Sequence, residues 1–256
     1  MPFIVAEPGG LPCYRSPLLA AFPEVSHGFF TRKGGVSPEP FHSLNLSFTV
    51  GDQEPLVVQN RHLVQQALGL NGLVSATQVH GHQESLVTTA NAAPHEEIPD
   101  ADILLTGQSG LGLLIKQADC QAVMLYDPVR RVAANVHAGW RGQVGNILKE
   151  AVTRLQERCG CRPQDLIAAL GPSLGPCCAE FRHYQEEFPP EMWRYQVQPT
   201  YFDLWALSRD QLLAAGLRPE KIDIAGVCTR CRREEFFSYR RDRITGRQGA
   251  VIGLLK

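Results

Sequence analysis

Apolar residues in this chain come in short runs of strand length, broken by Gly, Pro, Asn or Asp, with longer helical periodicities in only three places. Residues 27–31, 73–79, 84–88 and 103–105 read as strands. So do 111–115, 122–126, 132–136, 166–170, 222–227 and 250–255. A helix is predicted over 52–68, where Asp52 caps and Leu56, Leu63, Val64, Ala67 and Leu68 precede Gly69. A second, over 142–159, puts Val144, Ile147, Leu148, Ala151, Val152 and Leu155 on one face and stops at Gly160. A third opens at Asp203, turns Leu204, Leu207, Leu212 and Ala215 inward and ends at Gly216, although Gln211 falls on the same face. Strands outnumber helices, and several adjoin with no crossover helix between them. That pattern predicts an α+β fold, a mixed-sheet sandwich rather than a doubly wound parallel sheet.

The chain has 256 residues, 44% hydrophobic and 20% charged, which excludes disorder and leaves room for a large core. Segments 91–100 and 188–191 read as connections, but neither separates a piece with its own core, so one domain over 1–256 is expected. Lys and Arg number 25 against 26 Asp and Glu, so the electrostatic driver of nucleic-acid binding is missing. The N-terminus has no basic region, and the apolar stretches 104–115 and 166–179 are too short and broken to cross a bilayer. The expectation is a cytoplasmic protein with no membrane partner, a monomer or weak homo-oligomer.

Eight cysteines lie at Cys13, Cys120, Cys159, Cys161, Cys177, Cys178, Cys228 and Cys231. In a reducing compartment these are thiols, some packed as small hydrophobes and some available to metal. Polar, titratable residues at strand ends, with glycine in two of the three cases, mark three segments: 78–82 with His80, 117–120 with Asp119 and Cys120, and 137–142 with His137 and Arg141. The last hands a strand over to a helix, whose first N–H groups suit an anion, with Arg141 as a bidentate donor. Two imidazoles and a thiolate suit Zn²⁺ with a fourth position open, and His80, Cys120 and His137 supply that set. Taken singly, each also suits a buried thiol or a hydrogen-bonded core histidine.

Other metal patterns are weaker. Cys228 and Cys231 form a C-x-x-C without a second pair at ribbon spacing. His82 and Glu84 match the H-x-E of zinc nucleobase deaminases, but the partner P-C-x-x-C fails at Cys177–Cys178. Segment 236–247 mixes aromatics with arginines, a composition that suits a nucleotide-like ligand or an ordinary solvated edge.

Together these motifs resemble the YfiH-type family, also called laccase-domain proteins or peptidoglycan-editing factors. The resemblance runs from segment 27–36 through Asn45–Leu46, 50–52, 78–80, 118–120, 137–142 and 170–172 to Cys228–Thr229, 237–242 and 245–247. It implies an αββα-like sandwich, zinc on His80, Cys120 and His137, and purine nucleoside phosphorylase activity. Adenosine, inosine or guanosine, with methylthioadenosine as a further substrate, and phosphate are the implied partners, with adenosine deamination as a second activity. The chain departs from the family at Arg230–Cys231, and Cys231 is read as a local variation without a role.

The site expected on this basis has Cys120, His80, His137 and Asp119 at its chemistry, with Asp119 as acid/base or as support for the metal ligands. Arg141 is the first phosphate contact, Arg241 a weaker one, and Asn45 and Arg32 are contacts for ribose or base. Copper polyphenol oxidation fits poorly, because the chain has one His-x-His pair and three methionines. A cysteine hydrolase of Cys120 and His137, acting on a cell-wall precursor, is a competing reading of the same residues. A nucleoside-binding protein without catalysis is another.

Overall fold

Two mixed sheets lie face to face, with helices on both outer faces, in the computed structural model, which describes residues 2–89 and 97–256. The first sheet runs in the order Ile4–Ala6, Cys13–Arg15, Val25–Phe30, Gln248–Leu254, Leu111–Gln117, Gly72–Ala76, Glu97–Ile98. Its last two pairings are parallel and the rest antiparallel. The second runs Ile222–Ile224, Ile167–Leu170, Gln121–Asp127, Val132–Ala138, Ile103–Thr106, Glu84–Leu86, with parallel pairing only at its two edges. The expected α+β sandwich is the observed architecture.

Alternation along the central strands explains the layers. Ala122, Met124 and Tyr126 face the first sheet and pack with Phe29, Leu113, Ile115 and Ile252. Val123 and Leu125 face outward onto the helix Ile147–Cys159, against Leu148, Ala151, Val152 and Leu155. On the far side, Leu114 and Val251 pack under Val64 of the helix Glu54–Ala67. Each central strand is therefore buried on both faces, which is why its apolar run is continuous rather than alternating. The side-chain nitrogen of Asn135 in the sandwich interior is paired: Nδ2 donates to the carbonyls of Leu113 and Ala250, both at 2.8 Å, and so ties the sheets together.

All ten predicted strands are present within a few residues of their expected ends. Short strands at Ile4–Ala6, Cys13–Arg15, Glu97–Ile98, Gln196–Gln198 and Tyr201–Phe202 carry too little periodicity to be read from sequence. Residues 91–96 of the expected connection lie outside the described residues. The second expected connection is no linker: Phe188 is buried with Phe181, Phe202 and Met192 in an aromatic cluster.

Two helices differ from expectation. The first is Glu54–Ala67 with Gln53 at its cap, because the Asp52 carboxylate accepts from Ser37 Oγ and Asn45 Nδ2 instead. The second breaks into Trp140–Val144 and Ile147–Cys159 at Asn146, whose φ of 60° leaves the helix and whose side chain caps the next one. Asp203 does cap Leu204–Ala214. Buried Gln211 on that helix donates to the Gln143 carbonyl at 2.7 Å, and Gln143 donates to Ser208 Oγ at 2.7 Å, so the side-chain nitrogens on the inner face are paired. No helix among the described residues is long and apolar enough to cross a membrane.

Candidate metal centre and substrate cavities

The chain passes between the two sheets at one end of the sandwich, and the chemistry collects there. Gln117 ends a strand of the first sheet and Gln121 begins one of the second, so the turn of 118–120 spans the seam. His80 sits on the opposite crossing, between Gly72–Ala76 and Glu84–Leu86. His137 comes from Val132–Ala138 and points between the sheets, like Ala133 and Asn135 before it. The donor atoms of His80, Cys120 and His137 all lie within 4.8 Å of one another.

Asp102 arranges this cluster, and nothing in its sequence context marks it. Its carboxylate accepts from the amides of Val79, His80 and Gly81 at 3.2, 3.1 and 2.8 Å. Those bonds hold His80 in the left-handed conformation at φ 58°. Oδ1 also lies 2.7 Å from His137 Nδ1, while the Asp102 carbonyl accepts from the His137 amide at 2.8 Å. A proton kept on Nδ1 leaves the Nε2 lone pair of His137 directed into the cluster.

The donor set fits a tetrahedral ion. Bond lengths of ~2.0–2.1 Å to nitrogen and ~2.3 Å to sulfur imply a ligand N–S separation of roughly 3.6 Å. Cys120 Sγ and His80 Nε2 are 3.8 Å apart. A β-carbon built on Gly139 would stand 2.8 Å from His80 Cδ2 and 3.4 Å from Cys120 Sγ, so glycine leaves the room the cluster needs. Burial raises the Cys120 thiol, but the His137 charge and hydrogen bonds from both imidazoles outweigh it and bring it down to about 6. Burial pulls His137 down, while the Cys120 thiolate and the Asp102 bond prevail and lift it to about 9. Met124 and Met192 are both in hydrophobic clusters, so neither supplies an axial thioether here.

Two cavities meet at the cluster, and His80, Ala118, Cys120 and Tyr239 line both. The larger, about 630 Å³, is walled by Trp140, Phe181, Leu174 and Leu204 and fringed by Arg141, Arg182, Arg240 and Arg243. The smaller, about 430 Å³, is reached by the polar side chains of Ser47, Thr49, Gln78, Glu97, Lys116 and Arg247. Arg141 is exposed, with its guanidinium 4.4 Å from the centre of the Trp140 ring. Tyr239, Arg240 and Arg243 were not expected at the site, although all three belong to the aromatic and basic segment 236–247, the one signal that could have found them.

The other expected contacts lie elsewhere. Asp119 borders the larger cavity, but its carboxylate accepts from Thr229 Oγ1 (2.7 Å), Ser238 Oγ (2.9 Å) and the Arg240 amide (2.7 Å). Asn45 is fully buried, bonded to Ser47, Asp52 and the Arg247 amide. Arg241 pairs with Asp242 and donates to the carbonyls of Thr229, Arg230 and Phe236. Arg32 lies over the Phe237 ring and lines a separate hollow of mixed charge, with Lys33, Arg233, Glu39, Glu234 and Asp242. Asn45, Arg32 and Arg241 line neither cavity at the cluster.

One expectation is overturned: Cys228 and Cys231 do have a second pair. Cys177 and Cys178 come to them across the surface, and the four sulfurs lie within 4.8 Å of one another. Cys231 is part of a cluster, not an isolated variation.

Comparison with known proteins agrees with this architecture. A family model described as multi-copper polyphenol oxidoreductase laccase matches residues 26–255. Purine nucleoside phosphorylase YlmD of Geobacillus stearothermophilus is 36% identical over 243 residues, covering 88% of this chain and 89% of its own. A purine nucleoside phosphorylase of Deinococcus radiodurans is 36% identical, with 96% and 94% covered. The crystal structure of YlmD from Geobacillus stearothermophilus superposes with a TM-score of 0.90 at 33% identity, covering all of both chains. The Bacillus licheniformis hypothetical protein YfiH gives 0.89 at 31% identity, with 99% of each chain covered. With the same sandwich over its whole length and the family model over all but its first 25 and last residues, this chain belongs to the YfiH/YlmD family of multi-copper polyphenol oxidoreductase laccase proteins.

Proposed function

We propose that this chain is a zinc-dependent purine nucleoside phosphorylase acting on adenosine, inosine or guanosine, with methylthioadenosine as a further substrate. The observation that carries the reading is the His80–Cys120–His137 cluster, oriented by Asp102 and open to two cavities. The names of the relatives support the substrate class. A zinc ion on the three ligands would supply an electrophilic centre with a fourth position free for a substrate.

In phosphorolysis a phosphate oxygen bonds the anomeric carbon while the carbon–nitrogen glycosidic bond breaks. The bond's electron pair leaves with the purine, which takes up a proton, and the products are the free base and ribose 1-phosphate. The chain's own groups bind and orient. The larger cavity is of ligand size, and Trp140 and Phe181 in its wall suit a purine face. Arg141 is the phosphate ligand in this reading, because its guanidinium is exposed over Trp140 at the cavity edge; Arg182 and Arg243 add positive charge there.

Asp119 acts by position: its three acceptor bonds fix the turn that presents Cys120. Asn45 acts at one remove, holding the Arg247 backbone and thereby a wall of the smaller cavity. Arg241 pins the 229–230 backbone and Arg32 belongs to its own hollow, so neither is assigned a substrate.

The test is zinc-loaded protein with inosine, with and without phosphate, following hypoxanthine and ribose 1-phosphate. Phosphate-dependent product from the wild type that disappears in Cys120→Ala is the expected result. Absence of product across the common purine nucleosides, from folded zinc-containing protein, overturns the proposal. Hydrolysis of a cell-wall precursor by metal-free protein that shows no phosphorolysis would instead favour the Cys120–His137 hydrolase. Conversion of adenosine to inosine, measured in the same samples, decides whether deamination accompanies phosphorolysis.

A further inference from the structure

A second cluster of thiols lies on the far side of Asp119 from Cys120, where two loops come together. The first loop turns tightly after Gly175, whose carbonyl accepts from the amides of Cys178 and Ala179 at 2.8 and 2.9 Å. This turn is what aims two adjacent cysteines at one point. The second loop leaves a bridge between Ser173 and Cys228 and turns back through the Arg232 amide to the Cys228 carbonyl at 3.1 Å. Cys228 and Cys178 are buried; Cys177 and Cys231 are exposed.

Cys231 Sγ is 3.5 Å from the sulfurs of both Cys177 and Cys178. All four cysteines are free thiols, and no sulfur pair of the cluster is bonded. A zinc ion at ~2.3 Å from each of four sulfurs places them roughly 3.8 Å apart. The observed spacing, 3.5 Å for two pairs and under 4.8 Å for the rest, therefore suits an ion at the centre of the four. Four free thiols packed this tightly have little else to gain from proximity, since thiol hydrogen bonds are weak. The Gly175 amide donates to Cys228 Sγ at 3.3 Å, which is the kind of support a metal thiolate receives from backbone. A β-carbon on Gly175 would stand 3.0 Å from Cys228 Cβ and 2.8 Å from the Trp205 ring, so only glycine admits this approach.

We propose that Cys177, Cys178, Cys228 and Cys231 form a second, structural zinc site, separate from the His80–Cys120–His137 centre. Four thiolates close the tetrahedron and leave no position for a substrate, so the site has no direct chemistry. Its effect is mechanical. Thr229, next to Cys228, donates to Asp119, and Leu174, next to Gly175, donates its amide to the Asp119 carbonyl at 2.9 Å. Joining the two loops therefore fixes both backbone and side chain of the residue before Cys120. The proposal stands on its own geometry and does not need the phosphorylase reading.

The test is metal content of the full chain, purified under reducing conditions with zinc, by native mass spectrometry and elemental analysis. Two zinc ions per chain are expected in the wild type, one in Cys120→Ala, and one in Cys231→Ser, whose exposed position spares the core. Cobalt substitution of Cys120→Ala should then give the spectrum of a tetrahedral tetrathiolate, lost on adding Cys231→Ser. A wild type with one ion, unchanged by Cys231→Ser, overturns the proposal. So does a chain in which peptide mapping under the same reducing conditions finds Cys231 in a disulfide with Cys177 or Cys178. Two ions in the wild type support the second site even if a variant folds poorly, and a wild type with none overturns it.

Discussion

His137 Nδ1 and Asp102 Oδ1 are 2.7 Å apart, and both side chains are essentially closed to solvent, at 3% and 0% exposure. One carboxylate thus fixes the tautomer of one metal ligand while its amide bonds hold the backbone of another, His80. Burial raises the Asp102 carboxyl, but the hydrogen bond and charge of His137, with the amides of Gly81 and Val79, hold it below its ordinary range. It is a permanent anion beside the centre.

Asp102→Asn should keep the shape and remove the charge. Metal affinity, read by chelator competition, is expected to fall by about 10–100-fold. Unchanged affinity would show that His137 needs no carboxylate behind it.

Gly139→Ala places a methyl against His80 and Cys120. The backbone there is ordinary extended chain, so the fold should survive while the three-ligand site loses its ion. Circular dichroism together with zinc content separates the two effects. Full occupancy in the alanine variant would mean the imidazole moves aside at no cost.

Arg141→Ala and Arg241→Ala should divide function from stability. Loss of the exposed Arg141 is expected to raise KM for phosphate by about tenfold or more with little change in Tm, as for one charge-assisted contact. Loss of Arg241 leaves three carbonyls and Asp242 without their donor and should cost about 1–3 kcal/mol, seen in urea melts. Equal effects of both on KM would place phosphate elsewhere.

His27 sets an acid limit on the fold. Burial pushes its imidazole down from 6.5 to about 3, helped by the Arg15 charge. Its Nε2 accepts from the Ser16 amide at 3.0 Å, a role only the neutral ring can fill. The unfolded chain takes a proton below pH 6.5 and the folded chain does not. This contribution to stability is therefore whole above pH 6.5 and is lost as pH falls towards 3, by at most about 1.4 kcal/mol per unit. His27→Gln, which keeps an acceptor, should flatten that part of the curve. Parallel curves for the two proteins would remove His27 as the cause.

What can be read along the chain is whatever one segment decides by itself. Strands at 111–117 and 121–127 and the helix at 147–159 follow from periodicity, because each buries a face wherever it packs. His80, Cys120 and His137 are legible as motifs, since a titratable residue at a strand end, beside or near glycine for the two histidines, is a local pattern. Asp102 carries no such pattern: it acts through space on residues 22 and 35 positions away. Only half of the four-cysteine cluster is legible for the same reason: Cys228 and Cys231 form a C-x-x-C, but the other half, Cys177 and Cys178, matches no metal spacing and lies 53 positions away, counted from Cys178 to Cys231. Asn45 and Arg241 err in the other direction, as polar residues in strong motifs whose partners turn out to be largely backbone. Composition and period set the layers; which side chains share a volume is decided only when the two sheets close on each other, since that choice depends on distances between segments that the chain order does not contain.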